Sequence, residues 1–248
     1  MIKLKTPAEI EKMRRANRLV ARVLAAVRRA VAPGVTTREL DELAEKLCRQ
    51  EGAKPAFKGY RGYPYALCCS LNSEVVHGFP RSQPLREGDL LSVDFGVVLD
   101  GYYGDSATTV AVGQVSDQAR RLMEVTRASL EAGIKQMRPG RRLGDVSHAV
   151  QEVVEAAGFS VIRQFVGHGI GKDLHEEPQV PNFGTPGHGP KLKAGMVLAI
   201  EPMVAAGHWE VRVLDDGWTA VTSDGSLAAH YEHTVAVTKN GPKVLSLP

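Results

Sequence analysis

The feature that most constrains this chain is that it repeats itself. Displaced by 106 residues, Pro33-Gly34 falls on Pro139-Gly140, Leu40 on Val146, Ala44 on Val150, Leu47 on Val153, Cys48 on Val154 and Gly52 on Gly158. The helix ahead of each Pro-Gly pair repeats too, with Leu24 matching Leu130 and Val31 matching Met137. In the first copy Thr6-Pro7-Ala8-Glu9 starts a helix with a capping box and a proline at its first position. Ile10, Met13, Val20, Val23, Leu24, Val27 and Val31 then recur at helical spacing to about Ala32. Thr36-x-x-Glu39 starts a second helix with Leu40, Leu43, Ala44, Leu47 and Cys48 on its buried face and Gly52 as its stop. The second copy begins with a helix from Ser116 to about Met137. Two helices followed by strands, twice over, predict a pseudo-symmetric α/β (α+β) fold, helices covering one side of a sheet, with a site between the halves. One domain over residues 1–248 is expected, its copies at about 6–112 and 113–238.

Where the first copy ends, LLSVDFGVVL, Asp100-Gly101 and YYGDSATTVAV read as a β-hairpin. Asp-Gly between two β-branched runs suits the positive φ that a two-residue turn demands. Counting back from the turn, Leu99 faces Tyr102, Gly96 faces Asp105 and Asp94 faces Ala107. Side chains alternate between faces, so Asp94 and Asp105 become diagonal neighbours on one face. Two carboxylates placed so in an apolar sheet repel each other unless a proton or a cation lies between them.

Further strands are expected at Tyr65 to Leu71, at Glu74 to His77 and over SVIRQFV, the last ending at Gly167-His168-Gly169. A loop from Ile170 to Pro190 follows, rich in Pro and Gly and of a length that is usually functional. Strands return at Met196 to Glu201, Glu210 to Leu214, Trp218 to Thr222 and Ala229 to Thr238, with turns at Asp216-Gly217 and Asn240-Gly241. Polar residues stand where apolar ones would suit these segments: His77, His168, His175, Glu201 and Glu232. Glu201 closes the apolar run VLAI before Pro202, and Glu232 sits inside AHYEHTVAVT. Buried carboxylates with no arginine nearby in sequence need another cation. With Asp94 and Asp105 they make four carboxylates and at least one imidazole, an inventory suited to a pair of divalent metals, Mn, Fe or Co rather than a purely structural zinc. GHGIG does not satisfy G-x-G-x-x-G, and His175-Glu176-Glu177 lacks the second histidine of H-E-x-x-H.

Composition narrows the class. Hydrophobic residues make up 43% and charged residues 24% of the 248, as in ordinary globular proteins. There is no apolar run long enough to span a bilayer and no signal-peptide core at MIKLKTPAEIEKM, so a cytoplasmic location and no membrane contact are expected. Cys48, Cys68 and Cys69 form no C-x-x-C pair, which fits a reducing compartment. Residues 1–61 carry 15 Lys/Arg against 7 Asp/Glu, although the net charge is only +3. That basic front end is either a surface that docks on nucleic acid such as ribosomal RNA or simply a solvated helix face.

In order and spacing, His77, Asp94, Asp105, His168, His175, Glu201 and Glu232, within HGFP, GHGIG, LHEEP, AIEPM and YEHT, resemble the site segments of the methionine aminopeptidases. The resemblance covers nearly the whole chain. It implies the pita-bread fold, an antiparallel sheet covered by two helix pairs, in the short type 1 form, without an N-terminal zinc-finger extension or the long helical insertion of type 2 enzymes. It also implies two divalent ions (Co, Mn, Fe or Zn): Asp94, Asp105 and Glu232 holding the first, Asp105 and Glu232 bridging, His168 and Glu201 completing the second. Such a pair lowers the pKa of a shared water and polarises the scissile carbonyl. By the same resemblance Glu201 is the general base, His175 stands near the carbonyl oxygen, and His77 near the scissile amide. Phe57, Tyr60, Tyr63, Cys68, Leu174 and Trp218 would wall a methionine pocket. Related sequences often have a smaller residue at 57 and an aromatic one at 174, so the pocket's shape departs from the pattern. The implied activity is removal of the N-terminal methionine of peptides and nascent chains, preferring a small second residue, by a monomeric cytoplasmic exopeptidase. Two other readings stay open: a proline-specific aminopeptidase of the same fold, which generally carries an extra N-terminal domain, and a non-catalytic ribosome-binding module, which should have lost metal ligands.

Overall fold

The helices form where capping and apolar spacing place them. The computed structural model describes residues 1–247, and in it α1 spans Pro7–Ala30, α2 Thr37–Gln50, α3 Asp117–Gln136 and α4 Leu143–Ala156. Thr6 and Thr36 each accept the amide three residues on, and Glu9 and Glu39 return the bond to the cap's own amide. The two helix pairs also join the rest of the chain alike. Gly34 and Gly140, at φ +91° and +90°, turn the chain between the helices. Their amides donate to Leu85 O and Leu192 O, and the caps that follow, Thr36 and Arg142, bridge to Pro84 and Lys191.

Fifteen strands among the described residues complete the fold. The first part of the chain has β1 Lys54–Pro55, β2 Leu67–Leu71, β3 Glu74–Val76, β4 Leu90–Leu99 and β5 Tyr102–Ala111. After α4 come β6 Ser160–Val161, β7 Gly167–Gly169, β8 Glu176–Val180, β9 Val197–Ile200 and β10 Met203–Ala205. The last are β11 Val211–Val213, β12 Ala220–Thr222, β13 Ala228–His230, β14 His233–Thr238 and β15 Gly241–Val244. Every pairing among the described residues is antiparallel, but the strands divide into four hydrogen-bonded sheets rather than one. The helices lie outside them. Leu24, Val27 and Leu40 pack on Leu67, Leu91, Val93 and Phe95, while Leu130, Leu143 and Val146 pack on Leu198, Ile200, Val235 and Val237. Phe95 is fully buried, which contributes about 3 kcal/mol of apolar transfer.

The hairpin register matches the count from the turn: Leu99↔Tyr102, Gly96↔Asp105, Asp94↔Ala107. Other segments differ from expectation, each for a topological reason. SVIRQFV is not one strand, because β6 pairs with β10 while β7 pairs with β8 and β9 in another sheet. The stretch from Ile170 to Pro190 is not all loop, since β8 lies within it despite Pro178. As the sheet's outermost strand, with a register shift opposite His168/Gly169, β8 tolerates a missing amide donor. The run from Ala229 to Thr238 breaks at Tyr231-Glu232, where the chain leaves β10 for β9. The last turn is Lys239-Asn240, with Gly241 already paired to Thr238. No helix among the described residues is long and apolar enough to cross a membrane.

Candidate active site

Register places Asp94 and Asp105 side by side, and β5 brings them to the seam between the sheets. Asp105 is 4% exposed; its amide donates to Asn17 Oδ1 of α1 at 3.2 Å, and its carbonyl accepts Thr234 Oγ1 of β14 at 2.8 Å. The break at Tyr231-Glu232 lets the chain cross here. Glu232 N donates to Ala107 O at 2.9 Å, and Glu232 O accepts Ser106 Oγ at 2.6 Å, so the Glu232 side chain is delivered beside Asp105. Ligating atoms of Asp105, His168 and Glu232 all lie within 4.8 Å of one another.

Within this cluster the hydrogen bonding is incomplete. Asp94 Oδ1, Asp105 Oδ1 and Glu232 Oε1 are buried with no partner among the described residues, where buried polar atoms are normally paired. His168 Nδ1 donates to Gly169 O at 2.9 Å, which leaves the Nε2 lone pair facing Glu201 Oε1 at 3.5 Å. An acceptor facing an acceptor calls for a cation between them. Burial pushes Asp94, Asp105, Glu201 and Glu232 above the usual carboxylate range, and the charge of Asp105 pushes the other three further. Burial and then His175 lower His168 to about 3, which keeps its ring neutral and ligand-ready. Oxygen-rich donors with one imidazole suit a divalent metal.

The cluster floors a cavity of about 170 Å³, and all thirteen residues singled out in the sequence line it: Phe57, Tyr60, Tyr63, Cys68, His77, Asp94, Asp105, His168, Leu174, His175, Glu201, Trp218 and Glu232. Phe57 enters because Gly96 makes room; a Cβ there would lie 2.8 Å from Phe57 Cε1. Tyr63 stacks edge-on against Trp218 at 5.1 Å and donates its hydroxyl to Leu67 O and Gly78 O. His175 shares a 2.9 Å hydrogen bond between Nδ1 and the Tyr60 hydroxyl, and its ring lies 4.3 Å from that of His168.

The model of metallopeptidase family M24 matches residues 11–239. The chain is 52% identical over 247 residues to a methionine aminopeptidase of Clostridium perfringens, covering all of this chain and 99% of that one. It is 50% identical over 246 residues to methionine aminopeptidase 1 of Bacillus subtilis, covering 99% of each. The chain belongs to metallopeptidase family M24. A crystal structure of the methionine aminopeptidase from Thermotoga maritima superposes on this M24 chain with a TM-score of 0.98 at 53% identity, each covered in full. A prolidase from Pyrococcus horikoshii, 23% identical with a TM-score of 0.79, shares the pita-bread fold; this chain covers 63% of it. Membership makes the chain a metallopeptidase that binds divalent metal, and the unpaired donors fit that requirement.

Three features of this M24 site were not read from the sequence. His230 is 1% exposed; its Nε2 lacks a hydrogen-bond partner among the described residues and stands 3.5 Å from Glu201 Oε2, so Glu201 lies between two imidazoles. Burial and then His77 lower His230 to about 3. Its place two residues before Glu232 was the available signal. Arg61, in the 3₁₀ turn Tyr60–Gly62, also lines the cavity and belongs to no motif. His77 adopts φ +61°, a left-handed conformation costly for a residue with a Cβ and one that clusters at functional sites.

Proposed function

We propose that the chain removes the N-terminal methionine from peptides and nascent proteins, preferring a small second residue. The observation that carries this reading is the set of buried, unpaired carboxylate oxygens opening onto an aromatic and sulfur-lined cavity of about 170 Å³. Asp94, Asp105 and Glu232 would hold one divalent ion and His168 and Glu201 complete a second, with Asp105 and Glu232 shared; Co, Mn, Fe and Zn all suit these donors. When bound, such metal supplies Lewis-acid chemistry, making water more acidic and polarising the scissile carbonyl.

The chain's own residues do the rest. Glu201 accepts the proton of the attacking water on a carboxylate oxygen and passes it on toward the leaving amine. With the Tyr60 hydroxyl donating to Nδ1, His175 keeps its proton on Nε2 and donates it as a hydrogen bond to the carbonyl oxygen as charge develops there. Burial lowers the His175 ring and holds His77 down at about 4, so both act as neutral imidazoles. His77 then stands on the side of the scissile amide. Phe57, Tyr60, Tyr63, Cys68, Leu174 and Trp218 receive the thioether, which packs well on aromatic edges.

The two helix pairs and their strands act as one catalytic domain, the copies at about 6–112 and 113–238, working as a monomer in the cytoplasm. On α1, Arg14, Arg15 and Arg22 pair with Glu11, Asp100 and Glu51 at the surface. Arg18, Arg28 and Arg29, exposed on the same helix, form no ion pair among the described residues and would meet ribosomal RNA. Charge reversal at Arg18, Arg28 and Arg29 that left ribosome co-sedimentation unchanged would rule this docking surface out.

The deciding experiment offers Met-Ala-Ser, Leu-Ala-Ser and Ala-Pro-Ser to metal-stripped protein before and after adding Mn, Co, Fe or Zn. Release of Met alone, restored by metal and lost in Asp94→Asn, is the expected result. Cleavage of Ala-Pro-Ser would move the chain to the proline-specific relatives, and inactivity with every metal would leave a binding module.

A further inference from the structure

The turn that carries Leu174 and His175 into the cavity is held from outside by the first residues of the chain. Gly171 N donates to Asp173 O at 3.1 Å, and Glu176 Oε1 accepts the amide of Lys172 at 3.0 Å, closing the turn. The other oxygen, Oε2, accepts Lys5 Nζ at 2.7 Å, and the two side chains are only 6% and 3% exposed. Lys5 is itself tied down, its amide donating to Gly195 O at 2.7 Å and its Nζ also to Lys3 O at 3.1 Å. Beneath the pair lies Gly171, where a Cβ would fall 2.6 Å from Glu176 Oε1 and 2.7 Å from Lys5 Cε. Its carbonyl accepts the amide of Tyr103, near the tip of the β4–β5 hairpin, at 2.9 Å. N-terminus, hairpin tip and turn therefore meet at one buried ion pair.

A buried pair of this kind stands only while both members are present, because one charge left alone must reach water or neutralise. If Lys5 is lost, the only cation left beside Glu176 among the described residues is the exposed Lys3, whose Nζ stands 3.9 Å from Oε1, the oxygen that accepts the Lys172 amide; the carboxylate turns toward it and water, and its hold on that amide weakens. His175 is the next residue in the chain. We propose that Lys5 is a positioning residue which, through Glu176, sets where Leu174 and His175 stand, so that the N-terminal segment is a working part of the site. The kinetic side of this inference rests on the function proposed above, whereas the order of the turn is measurable without it.

Wild type, Lys5→Met and the double variant Lys5→Met/Glu176→Gln are compared with Mn added, by Met-Ala-Ser hydrolysis, by Mn titration calorimetry and by hydrogen exchange of residues 171–176. In Lys5→Met, kcat falls about 10- to 100-fold, as expected for a misplaced transition-state contact, with a smaller change in KM. Mn affinity stays at the wild-type value, and exchange in the turn speeds up. In the double variant the side-chain amide oxygen at position 176 still accepts the Lys172 amide and no charge is buried, so kcat/KM returns to within about threefold of wild type. A lower melting temperature in Lys5→Met with kcat, KM and turn exchange unchanged overturns the proposal, as does a double variant no better than the single one. Should Lys5→Met not fold, Lys5→Arg, which keeps the charge but shifts it, is judged by the same kinetic and exchange readouts. Failure of the wild type to release Met would count against the function alone, and exchange would still decide the role of Lys5.

Discussion

The hairpin β4–β5 and the strands that face it across the seam supply the same site by opposite means. The hairpin is two ten-residue strands in unbroken register, and its two aspartates fall on one face by alternation alone. On the other side His168, Glu201 and Glu232 come from β7, the end of β9 and the gap before β14, from segments of three to six residues with a register shift and a change of sheet among them. The lesson is that a long strand positions ligands locally, whereas short strands position them only through what they pair with. Each side of this comparison can be tested separately.

Chemistry provides the largest effect. Glu201→Gln, from the broken side, is expected to lower kcat by about 10²–10⁴ in the metal-loaded enzyme. Asp105→Ala, from the hairpin, should cost no less, with Mn binding weakened in calorimetry; a clearly milder loss would mean that the hairpin is scaffold and the other side carries the reaction.

Packing comes next. At Gly167 in β7 an added Cβ would meet the backbone oxygen of Ala199 at 2.3 Å, which cannot give way without shifting β9. At Gly96 in the hairpin it would meet the ring of Phe57 at 2.8 Å, which can turn, and Ala56 Cβ at 3.0 Å, which need give by only a few tenths of an ångström. Urea unfolding should put Gly167→Ala at about 3 kcal/mol of destabilisation and Gly96→Ala at about 1. The reverse order would show the hairpin to be the more tightly specified element.

The pH dependence offers a finer test at the seam. Burial holds His233 at about 4, and its Nδ1 pairs with Ser246 Oγ at 2.8 Å. Because its folded pKa lies below the unfolded value of about 6.5, its contribution is complete above that pH and is lost as pH falls toward the folded value. At pH 5 the loss is about 2 kcal/mol. His233→Gln should therefore make the urea midpoint fall less between pH 7 and pH 5 than in wild type; His77, His168, His175 and His230 lower the midpoint over that range, while Asp94, Asp105, Glu201 and Glu232, held above the usual carboxylate range, raise it in both proteins alike.

The smallest effect concerns the helix starts. Thr36 caps α2 with its hydroxyl, while Arg142, the corresponding residue before α4, makes no side-chain cap. Thr36→Ala should cost about 1 kcal/mol and Arg142→Ala under about 0.5 in thermal unfolding. Equal losses would show that the two helix pairs are not capped differently after all.

What the sequence determined by itself was everything governed by local rules: the four helices, whose caps and apolar spacing act within a few residues, the repeat, and the hairpin register counted from Asp100-Gly101. It also singled out carboxylates and histidines that line the cavity, because such residues inside apolar runs stand out wherever they fall. Tertiary structure decided the rest. That β8 forms across Pro178, that the chain changes sheet at Tyr231-Glu232, that His230 backs Glu201 and that Lys5 reaches Glu176 all depend on partners far away in the chain. Pairing between distant short segments is set by what each buries on contact, and neither period nor propensity within one segment records that.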